Sequence, residues 1–185
     1  MLTTTGLCGR AMLLSSLLAH PIEAEQLWQV RDDYFADHWG RSTPEAQRGL
    51  ALMRESASAR EDVAKLAADF DRLFGGPTPR VVPRESTYRS DITAQTLEVV
   101  YLTAGVSLTM DQPADHIATE LAFVAQLPIS SATPARTLAE FTREHLRTWA
   151  PVCLAEISMR AGSLLYQGVG ALAMDYIESL PTHMD

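Results

Sequence analysis

Between Val63 and Phe74 the apolar side chains keep a single rhythm. Val63, Leu66, Ala67, Phe70, Leu73 and Phe74 recur at i, i+3, i+4, i+7, i+10 and i+11, and Gly75-Gly76-Pro77 follows at once. Residues three and four apart share one face of a helix, whereas a half-buried strand needs strict alternation. Glycine followed by proline is a common way for a helix to stop. The stretch therefore predicts an amphipathic helix that must bury its stripe against other elements.

The same punctuation recurs along the chain. Ser58-Ala59-Arg60-Glu61 is read as the capping box of that helix. Upstream, Thr43-Pro44-Glu45 sets a capping hydroxyl before a proline at the first helical position, with Ala46, Leu50 and Met53 at helical spacing behind it. Residues 11–19 supply the apolar stripe of a first helix. Further helices are expected over 91–105, 113–127, 134–148 (opened by Thr133-Pro134), 150–161 and 163–180. In the last of these Leu165, Val169, Leu172, Tyr176 and Leu180 share a face. Strand signals are almost absent, and no repeat of fixed period occurs. Pro77, Pro79 and Pro83 interrupt the pattern between 77 and 90. The expected fold is all-α, a bundle of about nine helices in two closely packed halves, 1–76 and 91–185, joined by a hinge loop at 77–90.

Hydrophobic residues make up 46% of the 185, enough for a core of that kind. The net charge of -8 disfavours nucleic acid, which demands clustered Lys and Arg. The acidity is uneven: residues 86–185 carry 11 acidic against 5 basic side chains, residues 1–85 carry 12 against 10. The second part is thus the stronger attractor of cations. Cys8 and Cys153 form no C-x-x-C pair, which argues against a disulfide framework or zinc knuckle and for a reducing compartment. The apolar run at 11–19 is too short to span a bilayer, and no A-x-A cleavage pattern follows it. The chain is read as cytoplasmic, and it contains no twin-arginine pair. The sole lysine, Lys65, lies in the amphipathic helix, not in a phosphate loop, and G-x-G-x-x-G, H-E-x-x-H and G-x-S-x-G are absent.

Three places carry polar groups worth following. Pro113-Ala114-Asp115-His116 is read as the start of a helix, proline at its first position and Asp115 in its first turn, with Glu120-Leu121 one turn on. A carboxylate and an imidazole at a helix mouth can also hold a guanidinium or a peptide amide by charge-assisted hydrogen bonds. His116, Glu120 and His145 are the alternative set, a metal site in a helical enzyme. Arg84-Glu85-Ser86-Thr87-Tyr88, in the hinge, offers a polar loop with an aromatic ring. Trp149 stands before Pro151 at an expected helix–helix junction.

In order, these segments resemble the TorD/DmsD/NarJ family of molybdoenzyme-maturation chaperones. The counterparts are Leu73-Phe74-Gly75-Gly76-Pro77, Pro83-Arg84-Glu85-Ser86-Thr87-Tyr88, Pro113-Ala114-Asp115-His116 with Glu120-Leu121, and His145 to Pro151, across about residues 45–172. Arg84 departs from the pattern, standing where the family usually has Trp or Tyr. The resemblance implies a non-enzymatic helical chaperone, monomeric or a homodimer with exchanged parts. Its partners would be the twin-arginine leader and the body of a molybdopterin-containing catalytic subunit. Some family members are described as binding guanine nucleotides or the pterin cofactor; no cofactor is required. Asp115, His116, Pro113, Glu120, Glu85, Ser86, Tyr88, Arg84 and Trp149 become the expected client-binding residues. In that reading Asp115 pairs with a leader guanidinium, and the leader's apolar part lies as a helix in a groove near the hinge. A soluble, non-exported partner enzyme is the other client the resemblance allows.

Overall fold

The computed structural model describes residues 4–40, 42–130 and 134–183. Among them the chain forms eleven α-helices and one π-helical turn. The helices are α1 (Thr4–Ala19), α2 (Ala24–Arg31), α3 (Asp33–His38), α4 (Pro44–Ser58), α5 (Val63–Phe74), α6 (Glu85–Tyr88) and α7 (Ala94–Thr103). α8 (Ile117–Ser130), α9 (Pro134–Phe141), the π turn (Thr142–Leu146), α10 (Arg147–Arg160) and α11 (Leu164–Ser179) follow. The described residues contain no strand; an isolated antiparallel bridge joins Arg84 to His116. The all-α expectation holds. The helices with no counterpart among the segments read from the sequence are the short ones, α2, α3 and α6, which lack the length to show a period.

The helices sort into two compact units interleaved along the chain. One comprises residues 1–19, 83–151 and 176–185, the other 20–82 and 152–175. In the second, α5 buries Leu66, Phe70 and Leu73, the stripe read from the sequence. Phe70 meets Tyr166 with ring centroids 5.8 Å apart. Its cap is not Ser58. The Ser58 hydroxyl turns back to the Arg54 carbonyl, Arg60 takes a left-handed φ of 54°, and Asp62 accepts from the Lys65 amide at 2.9 Å. Glu61, released from the expected box, instead accepts from the Leu164 and Leu165 amides of α11 at 2.8 and 3.1 Å. Asp69 takes the Gly162 and Ser163 amides at 3.1 and 2.7 Å. Two remote carboxylates thus occupy the open amides at the start of α11, where the helix dipole favours negative charge.

Thr43 caps α4 as expected, accepting from the Ala46 amide. Its hydroxyl also meets Asp175, which holds the buried Trp39 indole N–H at 2.9 Å. Further along α4, Gly49 faces Gly168 of α11 so closely that a Cβ on Gly168 would lie 2.9 Å from the Gly49 carbonyl oxygen. Only glycine permits that approach.

In the other unit α1 packs along α8, and the Ser15 hydroxyl donates to the Ala118 carbonyl at 2.7 Å. Leu14, Leu17 and Leu18 of α1 and Leu121, Phe123 and Val124 of α8 are buried. Tyr101 meets Phe123 at a tilt and Phe123 meets Phe141 edge-on, with ring centroids 4.4 and 4.7 Å apart. The junction expected before Pro151 is not there. The π turn runs directly into α10, which continues through Pro151. Thr133, the expected cap of α9, lies outside the described residues.

Gly168→Ala is expected to cost about 1–3 kcal/mol, the usual penalty for overpacking against an immobile backbone atom. Urea unfolding measures it; an unchanged midpoint means that α4 and α11 do not approach as described.

Candidate functional site

All nine residues expected from the sequence fall in the unit containing 83–151. Its centre is a pairing of two short segments. The Glu85 amide donates to the Asp115 carbonyl at 2.7 Å and the Ile117 amide to the Pro83 carbonyl at 2.9 Å. Residues 83–85 and 115–117 are thereby zipped together, with Arg84 opposite His116. The zipper changes the reading of Pro113. A proline-first helix would point the amides of residues 115–117 into its own opening turn. Instead the His116 amide closes a turn onto the Pro113 carbonyl, the Ile117 amide serves the partner segment, and α8 starts only at Ile117. Asp115 is therefore not a first-turn acid.

The Asp115 carboxylate has no exposure, and a buried charge needs partners. Arg84 supplies them from its Nε, at 3.1 and 3.2 Å, and from Nη2 at 3.0 Å. The Ser86 hydroxyl donates a short bond to the other oxygen. Burial opposes ionisation here, but the Ser86 hydroxyl and the Arg84 guanidinium outweigh it and hold the carboxyl below the ordinary aspartate value. Arg84 thus stands where a family aromatic usually stands and forms an ion pair.

His116 faces inward as well. Its Nδ1 accepts from the Ala118 amide at 3.2 Å, so that nitrogen carries no proton in this arrangement. Glu85, also without exposure, accepts from Arg89 Nη1 at 2.7 Å and from His145 Nδ1 at 3.0 Å. Arg89 reaches on to the Glu144 carbonyl at 2.6 Å and the Thr148 hydroxyl at 3.1 Å, tying the loop to the π turn and α10. Trp149 is buried within α10, 5.5 Å from the Tyr88 ring, and its indole N–H donates a long bond to Glu120 at 3.4 Å. The other Glu120 oxygen is buried with no partner. Burial, reinforced by the nearby Glu85 charge, pushes the Glu120 carboxyl well above the ordinary glutamate range against the pull of the Trp149 N–H.

Sequence reasoning passed over Arg89 and Tyr101. Arg89 was signalled by its position four residues after Glu85 on one helical face. Tyr101, whose hydroxyl donates to the Ala114 carbonyl at 2.6 Å, gave no sign beyond an apolar period. Solvent reaches Arg84, Ser86, Tyr88 and Pro113, while Glu85, Asp115, His116, Glu120 and Trp149 are buried. Among the described residues no group of three or more His, Cys, Asp or Glu side chains is placed to hold a metal, so His116, Glu120 and His145 do not converge on one. Nor, among those residues, is any helix long and apolar enough to cross a membrane.

The family model described as nitrate reductase delta subunit matches residues 35–155, more than half of the chain and the whole of this zipper. The chain belongs to the nitrate reductase delta subunit family. This is the NarJ/TorD type of molybdoenzyme-maturation chaperone, which gives the chain its general role. No curated protein gives a significant match. Within the delta subunit family, the buried ion pairs are this chain's means of fixing the loop Pro83–Tyr88 to the turn before α8.

Two outcomes follow from the carboxyls. Asp115→Ala strips the loop of its anchor and leaves Arg84 and Ser86 without an acceptor, at an expected cost of about 1–3 kcal/mol by chemical unfolding. Glu120 acts in the opposite sense with pH. Below its unfolded value near 4.5 it is protonated in both states; above it the unfolded chain ionises first, so folding weakens as pH rises. Glu120→Gln abolishes that dependence. The variant should gain on the wild type from pH 4.5 upward, by at most about 1.4 kcal/mol per unit, and parallel stability curves would show Glu120 to be ionised in the fold.

Proposed function

We propose that the chain captures the twin-arginine leader of a molybdopterin-containing catalytic subunit in the cytoplasm. It would hold that subunit until its cofactor is in place. The observation that carries this reading is the fixed pairing of the loop Pro83–Tyr88 with the turn Pro113–Ile117, in the part of the chain that the chaperone family model covers. A chaperone that must release its client gains from a preformed surface, because ordering a loop at the moment of binding costs affinity.

In this reading the labour divides among the expected residues by their exposure. Arg84, Ser86, Tyr88 and Pro113 meet solvent and are the groups a client can touch. Asp115, Glu85 and His116 are occupied within the fold and act on a client by holding those groups in place. Trp149 and Glu120 support Tyr88 from below. The leader's arginines are drawn by the surplus of acid over base in residues 86–185.

A fluorescent synthetic peptide carrying an arginine pair and an apolar stretch tests this. It should bind the wild type, weaken severalfold from low to physiological salt, and lose about tenfold in affinity when both arginines become glutamine. Equal binding of the glutamine peptide would remove the leader's arginines from the account. Capture of a soluble, non-exported enzyme from the native host would assign the chaperone a different client.

A further inference from the structure

α7 is apolar on two faces. Leu97 and Tyr101 are buried, yet Val99 and Leu102 on the outward side are 63% and 69% exposed. At its end Gly105 takes a φ of 75°, the Val106 amide returns to the Tyr101 carbonyl at 2.9 Å, and the chain leaves the helix. From Val106 to Met110 it forms no helix and alternates in burial. Val106 is 2% exposed, Ser107 and Thr109 face solvent, and Leu108 and Met110 are half-buried. That alternation is the signature of a strand with one covered face.

Among the described residues no other segment pairs with its backbone. Among the described residues, none of the backbone N–H or C=O groups of Ser107, Leu108, Thr109 or Met110 makes a hydrogen bond within the chain. A segment with strand-like alternation and open backbone groups can template another strand, and proteins that do not use such an edge commonly blunt it with lysine or proline. Ser107–Met110 contains neither. Behind the edge lies a cavity of about 340 Å³, bounded by Tyr101 and Leu102 of α7, by Leu108 and Met110, and by Pro113 and Ala114 of the zippered turn. Its size sits at the lower end of ligand sites, roughly 300–1,000 Å³, enough to admit the side chains of a docked segment. Glu98 is the single charged residue among those lining it. Asp111 follows the edge directly and is exposed.

We infer that the edge Ser107–Met110 takes an extended segment of an arginine-bearing apolar peptide as an added β-strand, alternate side chains entering the cavity beneath Pro113 and Ala114. The inference rests on the leader-binding reading and gives it a place and a conformation. A helical peptide satisfies its own backbone and leaves this edge open; an extended one satisfies both. Apolar side chains would meet Leu102, Leu108 and Met110, and the arginines would lie toward Glu98 and Asp111. The pairing of the Pro113 turn with the Arg84 loop then acts as the fixed wall of the cavity, since the Tyr101 hydroxyl ties α7 to Ala114 at 2.6 Å.

An N-methyl scan of the same synthetic arginine-pair peptide tests the mode. Each methyl removes one backbone donor, and in a strand alternate donors point to the partner. Affinity should fall about tenfold at every second position and little between. Leu102→Ser, at an exposed site with the unfolding midpoint unchanged, should weaken the unmodified peptide about tenfold as well. Losses recurring every third or fourth residue, uniform losses, or undiminished binding by Leu102→Ser overturn the strand. In those cases the leader reading survives, because the peptide still binds. A peptide that binds the wild type in no form sinks both.

Discussion

A carboxylate with no solvent exposure must find its hydrogen bonds inside the protein, and Asp115 finds them in Arg84 and Ser86, about thirty residues earlier in the chain. That requirement organises the site. Arg84 can reach Asp115 only if the two backbones run side by side, and they do, exchanging the bonds from Glu85 to Asp115 and from Ile117 to Pro83. Once they are paired, Glu85 is placed to meet His145 and Arg89, and Arg89 to meet the π turn and α10. A loop that would otherwise be a mobile proline-rich connector becomes part of a packed unit. A pair in which one partner is partly exposed contributes only modestly by Coulomb attraction. The larger effect is negative: with Arg84 gone, Asp115 would be a buried charge short of donors.

Much of the helical architecture was written in the sequence, because its signals are local. The α5 stripe, the Thr43-Pro44 opening of α4 and the apolar face of α11 each need only a dozen residues to declare themselves. Expectations failed where a distant group competed. Ser58 and Glu61 have the spacing of a capping box, but Glu61 is worth more against the open amides of α11, so Asp62 caps in its place. Pro113 has the look of a first helical residue, but the Ile117 amide is claimed by the loop and the His116 amide closes a turn onto Pro113. Pro151 looks like a stop, and α10 runs through it.

The site was legible as a list and not as a geometry. Glu85, Ser86, Asp115, His116, Glu120, Tyr88 and Trp149 do assemble in one unit. Nothing in their spacing revealed that five of the nine expected residues would be buried, because burial is set by how α6, α8 and α10 pack. The exposed apolar groups that carry no core period lie elsewhere: Val99 and Leu102 on the outer side of α7, beside the non-helical stretch 106–110 after Gly105. An apolar residue off the core face reads as an imperfection until a cavity is found beside it.

Amide hydrogen exchange on the free protein tests the central claim, that a buried ionic pairing rigidly joins the loop to the turn before α8. The Glu85 and Ile117 amides should exchange as slowly as those inside α8. Asp115→Asn should speed both by more than about tenfold while leaving the α5 amides unchanged. Exchange of Glu85 and Ile117 at the rate of an open loop in the wild type would contradict the account.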